Sequence, residues 1–343
     1  MTDTPILEVR HLRKYFPVYQ PFLDVLARRP QDQVKAVDDV SFNLAQGEVL
    51  AIVGESGCGK TTIARTLIGL EHLTDGEILF HGQPIRMQAS KTQAAQTIDL
   101  KALRQRAQMI FQDPYESLNP RATIFEIIEE PLVVHGLAKD RNERVALVKQ
   151  GLEDAGLRPA EDYFARYPHE LSGGQRQRVV IAAALVLQPE LLIADEPVSM
   201  LDVSIRAEIL NLLAELRNSR GISIIFITHD LGTVGYFADR VAVMYLGRIV
   251  EIGTMQEVFQ APKHPYTQAL FSVIPVPNPR LRKERVILQG ETPNPIQLPS
   301  GCRFHPRCPV AVEICKQVDP WLFQITQTHQ AACLLLNDGP QGA

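Results

Sequence analysis

Three short stretches of the chain carry residue types at spacings suited to work on a phosphate anhydride. The first is "GESGCGKT" at 54–61, which follows the apolar run "VLAIVG" and opens the helical pattern "KTTIARTLIGLE". Gly54, Gly57 and Gly59 let the backbone curl so that successive N–H groups point inward at an anion. A helix starting near Lys60 adds its positive end to the same anion. Lys60 is placed for the β and γ phosphates and the Thr61 hydroxyl for Mg²⁺, with Glu55, Ser56, Cys58 and Thr62 completing the nucleotide-binding stretch. Cys58 is read as a small residue at a tolerant position rather than as a reactive thiol. The second stretch is "LLIADEP" at 191–197, an apolar strand that ends in two carboxylates. Asp195 suits the Mg²⁺ shell, and Glu196 suits accepting a proton from, or orienting, an attacking water. The third is "LSGGQ" at 171–175, where Ser172, Gly173, Gly174 and Gln175 open a helix and present N–H groups and a hydroxyl to an anion.

The elements that must position these residues follow from the hydrophobic pattern. "ILEVRHLRKYF" reads as a strand, "PVYQPFLDVLARRPQDQVK" as an inserted loop, and "AVDDVSFNLAQGEVLAIVG" as two alternating strands joined at Gln46-Gly47. Residues 76–111 carry short strand-like pieces around the polar stretch "MQASKTQAAQT", and residues 122–187 are mostly helical in pattern. "ELLIADEP", "ISIIFITHD" and "RVAVMYLGRIVEIG" read as strands separated by the helix "IRAEILNLLAELRNSR". Strands alternating with helices predict an α/β fold with a parallel sheet. Eight prolines within 262–299 mark an extended connector, so the expected domains are 1–260 and 261–343, with a helical subdomain at about 113–185.

Bulk properties exclude several classes. The 343 residues carry a net charge of −4, which gives no global basic field for nucleic acid. The longest apolar run, "VVIAAALVL" at 179–187, is half of what a bilayer-spanning helix needs, and the N-terminus has no signal-peptide pattern. A cytosolic chain with reduced thiols is the expectation, with any membrane association made through a partner.

The order of glycine-rich loop, "LSGGQ" and "LLIADEP" resembles the ATP-binding cassette family. The resemblance implies a P-loop NTPase cassette with a RecA-like core, an antiparallel β subdomain, a helical subdomain carrying the signature "LSGGQ", and here a small Cys-rich C-terminal appendage. It places Gln112 of "FQDP" as the glutamine that contacts Mg²⁺ and water, and His229 of "ITHD" as the histidine facing the γ-phosphate. Asp202 of "SMLD" falls in the loop between subunits, with Met200 where alanine is usual. Tyr15, or else Phe16, is the candidate for stacking on adenine. In this family two cassettes sandwich two ATP molecules, so one P-loop and one signature imply a dimer with itself or with a paralogous subunit. A DNA-repair ATPase of this fold would separate these motifs by a long coiled coil, yet only 110 residues lie between Thr61 and Ser172.

"FQDPYESLNPR", "KHPYTQAL" and "PSGCRFHPRCP" narrow the resemblance to the oligopeptide/dipeptide permease ATPases, a subfamily that also serves nickel and glutathione. This implies an ATP-hydrolysing importer subunit, peripheral on the cytoplasmic face of the inner membrane. It would work beneath two transmembrane permeases fed by an extracytoplasmic solute-binding protein, with residues about 113–170 docking the permeases. Cys302, Cys308, Cys315 and Cys333 are spaced C-x5-C-x6-C-x17-C. Zinc ligands come as closer pairs, and common ferredoxin spacings do not match either, so spacing leans only slightly from zinc toward a cluster, with free packed thiols third. The family resemblance implies a [4Fe–4S] cluster of structural role, with zinc second. His305 and the arginines beside it are expected in a solvated connector.

Overall fold

The computed structural model of the chain describes residues 4–20, 31–86, 97–273, 286, 288 and 290–336. Most of the expected inserted loop, nearly all of the polar stretch after residue 86, and Pro275, Pro277 and Pro279 of the connector lie outside the described residues. The chain divides into two compact units, one of residues 1–7, 44–49 and 79–227, the other of 8–43, 50–78 and 228–343.

The unit that contains the glycine-rich loop begins with β1 (Leu7–Pro17), β2 (Gln33–Leu44), β3 (Val49–Val53), α1 (Lys60–Leu67) and β4 (Asp75–Phe80), with β1 bonded between β2 and β4. Along β2, Val40, Phe42 and Leu44 are buried while Ser41 and Asn43 face out, the alternation of a strand with one solvated face. All five residues of β3 are buried, so it is a central strand without alternation. The expected turn at Gln46-Gly47 therefore passes the chain from one sheet to another.

The other unit holds β5 (Gln83–Pro84), α2 (Leu100–Arg106), β6 (Ala107–Ile110), α3 (Pro114–Ser117), α4 (Ile124–His135), α5 (Arg141–Asp154), α6 (Glu161–Phe164), α7 (Gly173–Leu185), β7 (Leu191–Asp195), α8 (Val203–Arg220) and β8 (Ser223–Thr228). Strands β6, β7 and β8 run parallel, with Ala107 opposite Leu191 and Leu191 opposite Ser223. Local chemistry sets the helix ends. Thr123 and Glu126 close a capping box at the start of α4, left-handed Gly136 stops it, and Asp140 caps α5. Ile124, Ile127, Ile128 and Leu132 form the buried face of α4 at helical spacing.

The first unit resumes with α9 (Leu231–Phe237), β9 (Arg240–Tyr245), β10 (Arg248–Thr254), α10 (Met255–Gln260), α11 (Pro265–Ser272), β11 (Phe323–Gln324) and β12 (Gln330–Ala331). β9 pairs parallel with β3, so this unit too has the expected parallel pairing. "RVAVMYLGRIVEIG" is a hairpin of β9 and β10 because Leu246 at φ 43 and Gly247 at φ 79 together turn the chain. β12 adds antiparallel to β10, and β11 to β12. The Cys-bearing segment shares the core of this unit: Phe304 is 1% exposed, its ring 5.3 Å from Tyr245 and 5.4 Å from Tyr266.

A buried carboxylate ties three segments of this unit together. Glu251 on β10 has no exposed surface and accepts from the backbone N–H of Lys263 and of His264, each at 2.8 Å. Its Oε1 also lies 2.7 Å from His329 Nε2 beside β12. His264 in turn caps α11 by accepting from the Tyr266 N–H, and burial keeps its imidazole neutral, pushed down to about 4. Glu251→Ala leaves these buried donors without their acceptor. It is expected to destabilise the protein by roughly 3 kcal/mol, seen as a lower urea midpoint with an unchanged m-value.

Candidate nucleotide site

The glycine-rich loop has the form its sequence requires. It joins the buried end of β3 to α1, whose N-cap Gly59 is left-handed. Gly59 is obligatory on two counts: its φ is 108, and a Cβ there would lie 2.1 Å from the Ala36 carbonyl oxygen. Lys60 is buried, and its ammonium donates to the carbonyls of Gly54 at 2.8 Å and Glu55 at 3.0 Å, which holds the cation inside its own loop. Ser56 and Gly57 are exposed, while Thr61 and Thr62 on the first turn of α1 are half-buried. Cys58 is buried, and desolvation pushes its thiol up, the opposite of what a reactive thiolate needs. Its carbonyl accepts from the Gly247 N–H at 2.9 Å, which pins the loop to the β9–β10 turn.

Further braces come from side chains that the sequence did not single out. The Glu55 N–H donates to the Tyr266 hydroxyl at 3.0 Å. The Glu55 carboxylate accepts from Arg307 at 2.9 and 3.2 Å and from Thr292 at 2.7 Å. Nearby on β2, Asp38 accepts from both the Tyr15 hydroxyl and Arg303. Burial works against the Asp38 charge, but those two hydrogen bonds prevail and hold the carboxyl below its ordinary range. Burial and the Asp38 bond push the Tyr15 hydroxyl up to about 12, so it stays a donor. The expectation of solvated arginines is corrected here. Arg303 is 7% exposed and the Arg307 side chain 9%, because each is paired with a carboxylate of this unit. His305 is half-buried, with Nδ1 2.9 Å from the Cys302 carbonyl. His229, exposed after β8, belongs to this same unit.

The other unit carries the remaining site residues. Asp195 is 2% exposed at the end of β7. Glu196 follows it at φ 48, a left-handed conformation rare for such a side chain and of the kind stored at working sites. The Glu196 N–H donates to the Ile227 carbonyl on β8 at 2.9 Å, and Gln112 Nε2 donates to Glu196 Oε2 at 3.1 Å. The sequence assigned Gln112 and Glu196 separately; the structure brings them together. In "LSGGQ", Ser172 caps the 13-residue helix α7, and its hydroxyl and the Gln175 side chain exchange bonds with each other's backbone N–H. Gly174 packs so close to α8 that a Cβ would lie 2.7 Å from Ile205 Cγ2, and a Cβ at Gly173 would meet Tyr115 and Leu201. Asp202 is the N-cap residue of α8, with Met200 before it 55% exposed.

Cys302, Cys308, Cys315 and Cys333 line one small pocket together with His264, Phe304 and His305. Burial pushes the Cys302 thiol up to about 11 and raises those of Cys308 and Cys333. Among the described residues no group of three or more His, Cys, Asp or Glu side chains is arranged to hold a metal ion. Neither expected metal reading, cluster or zinc, thus has a ready-made ligand set.

This fold and these motifs place the chain in the ATP-binding cassette family, among the ATP-binding proteins of oligopeptide/dipeptide transporters. The ABC transporter family model matches residues 37–199, and the model for the oligopeptide/dipeptide transporter C-terminal region matches 250–315. The oligopeptide transport ATP-binding protein AppF of Bacillus subtilis (strain 168) is 48% identical over 96% of this chain and 97% of its own length. The dipeptide transport ATP-binding protein DppF of Haemophilus influenzae is 47% identical over 96% and 97%. Among solved structures, cbiO1 from Clostridium perfringens, part of the ABC transporter complex cbiONQ, matches with a TM-score of 0.61 at 31% identity, over 75% of this chain and 92% of that one. A dimeric post-hydrolysis state of the cassette MJ0796 bound to ADP and Pi matches with a TM-score of 0.60 at 26% identity, over 73% and 98%.

The Gly59 geometry has a direct consequence. Gly59→Ala should weaken ATP binding by roughly tenfold to a hundredfold, the equivalent of 1–3 kcal/mol of backbone strain. A fluorescent-ATP titration checks this, beside a thermal melt showing that the variant is folded.

Proposed function

We propose that this chain is the ATP-hydrolysing subunit of an importer that takes up di- or oligopeptides, acting at the cytoplasmic face of the membrane. The observation that carries the reading is the oligopeptide/dipeptide C-terminal match at 250–315, joined to relatives of nearly the same length named for peptide transport. No helix among the described residues is long and apolar enough to cross a membrane. The cassette is paired with two transmembrane permeases that an external solute-binding protein supplies, a reading supported by relatives named for peptide transport. Tyr115, Val133 and Val134, each more than half exposed between residues 113 and 170, support that segment as the permease-docking surface. The dimeric form of the MJ0796 neighbour supports a dimer, with a second copy or a paralogue as the partner.

Each site residue takes a role toward the nucleotide. The loop 54–62 binds the phosphates through its N–H groups, and Lys60 turns its ammonium from two loop carbonyls to the β and γ phosphates. Thr61, Gln112 and Asp195 are the residues that would hold Mg²⁺, and all three offer the oxygen ligands this cation prefers. Mg²⁺ arriving with ATP supplies charge neutralisation for the transferred phosphoryl group. Glu196 takes the proton of the attacking water while Gln112, donating to its Oε2, sets its orientation. His229 contacts the γ-phosphate, and Tyr15, with its hydroxyl anchored on Asp38, stacks on adenine. Ser172, Gly173, Gly174, Gln175 and Asp202 act on the nucleotide of the partner subunit, so that ATP closes the pair and hydrolysis reopens it.

The four C-terminal thiols are assigned a structural [4Fe–4S] cluster. Support comes from their shared pocket and from their wide spacing, since each iron of a cluster takes its own thiolate. Two measurements test these readings. Glu196→Gln should keep ATP binding and trap a closed dimer, while turnover in the reconstituted transporter falls by roughly 100-fold or more. Near-normal hydrolysis would remove Glu196 from its role. Anaerobically purified protein should hold about four irons with broad visible absorbance; a colourless sample with one zinc would reverse the metal assignment.

A further inference from the structure

The glycine-rich loop carries an acid at a place where negative charge is unwelcome. Glu55 is the second residue of the loop whose N–H groups must receive a polyphosphate, and Lys60, five residues on, donates to its backbone carbonyl at 3.0 Å. An uncancelled negative charge on this loop costs on the order of tenfold in affinity for an anion. The charge is cancelled by a residue 252 positions further on. Arg307 donates to both carboxylate oxygens, at 2.9 and 3.2 Å, and its side chain is only 9% exposed. The pair is backed by Thr292, which donates to Glu55 at 2.7 Å, and by the Tyr245 ring beneath the guanidinium at 6.0 Å. Arg307 is carried on a short segment whose neighbours are fixed. Phe304 is in the core, Arg303 is paired with Asp38, and Cys308 faces the thiol pocket.

We propose that Arg307 is a positioning residue for ATP, neutralising Glu55 and tethering the phosphate-binding loop to the C-terminal segment. The inference rests on the nucleotide-binding reading and adds a residue to it from outside the cassette motifs. The bidentate fork restrains both oxygens of Glu55, and Tyr266 holds the N–H of the same residue. The loop is thereby kept in its receiving shape before nucleotide arrives. Without Arg307 the carboxylate is left unpaired and repels ATP more than ADP, because ATP brings the additional phosphate charge.

Equilibrium titrations of the full chain with fluorescent ATP and ADP, in Mg²⁺ at low salt, test this. Arg307→Ala should weaken ATP binding about tenfold and ADP binding about threefold. Glu55→Gln alone leaves the Arg307 charge uncancelled and should tighten ATP binding by about threefold, and Glu55→Gln with Arg307→Ala should return to within about threefold of the parent. That rescue marks a counter-ion, because a purely structural loss at Arg307 would not be mended by removing the acid. The emission of the single tryptophan, Trp321, reports whether the C-terminal segment is folded in each variant. Should Arg307→Ala not fold, Arg307→Gln against Arg307→Lys makes the same comparison, with lysine near the parent and glutamine weak. Unchanged ATP affinity in Arg307→Ala, or a double variant no tighter than the single one, overturns the proposal. Failure of the unaltered chain to bind ATP overturns the nucleotide-site reading itself.

Discussion

A loop that binds phosphate must hold its backbone N–H groups turned inward before the anion is present, and an unbraced glycine-rich chain does not stay so. Gly54, Gly57 and Gly59 all adopt positive φ, the conformation that frees the N–H groups and also makes the loop the most entropically expensive turn to order. The surrounding unit supplies the order. The Gly247 N–H fixes the Cys58 carbonyl, the Tyr266 hydroxyl receives the Glu55 N–H, and Arg307 and Thr292 hold the Glu55 side chain. Lys60 closes the loop on itself from inside. These contacts replace the anion as scaffold, so binding need not do the folding.

The same logic explains why the C-terminal segment is packed where it is. By composition it is a proline-rich, cysteine-bearing tail, and such a segment with little core of its own could have hung free. Instead Phe304 packs edge-on against both Tyr245 and Tyr266, β12 adds to β10, and Glu251 gathers the 263–264 turn and His329. The segment "CRFHPRC" then has two functions in one turn of chain. Arg303 and Arg307 reach the carboxylates of Asp38 and Glu55, and the flanking cysteines line a pocket with Cys315 and Cys333. Burying two arginines is tolerable only because each meets a carboxylate.

In the other unit the strain sits on the chemistry. Glu196 is held at φ 48 directly after buried Asp195, between a backbone bond to β8 and the Gln112 amide. A side chain fixed in this way has few orientations left, which suits the role proposed for Glu196 toward a single water. The helix that opens at Ser172 is built with equal economy. The serine hydroxyl accepts the Gln175 N–H and the Gln175 amide oxygen accepts the Ser172 N–H, and Gly174 lets α7 approach Ile205 on α8.

What the sequence determined by itself is the local part. A phosphate nest needs glycines at fixed offsets between a strand and a helix, an N-cap needs serine before a helix, and an acid-bearing buried strand needs an apolar run ending in Asp-Glu. Those requirements act over fewer than ten residues and are written in spacing, so Lys60, Ser172, Asp195 and Glu196 were legible, as was the alternation of strands and helices. Burial of the arginines was not. Arg303 meets Asp38 across 265 positions and Arg307 meets Glu55 across 252, and a charge in a proline-rich stretch looks solvated until its partner is placed beside it. The bend of 240–254 into a hairpin lay in two left-handed residues, Leu246 and Gly247, which a continuous apolar pattern conceals. Only the tertiary structure decided these, because pairing between distant side chains depends on where the core folds them and leaves no period in the chain.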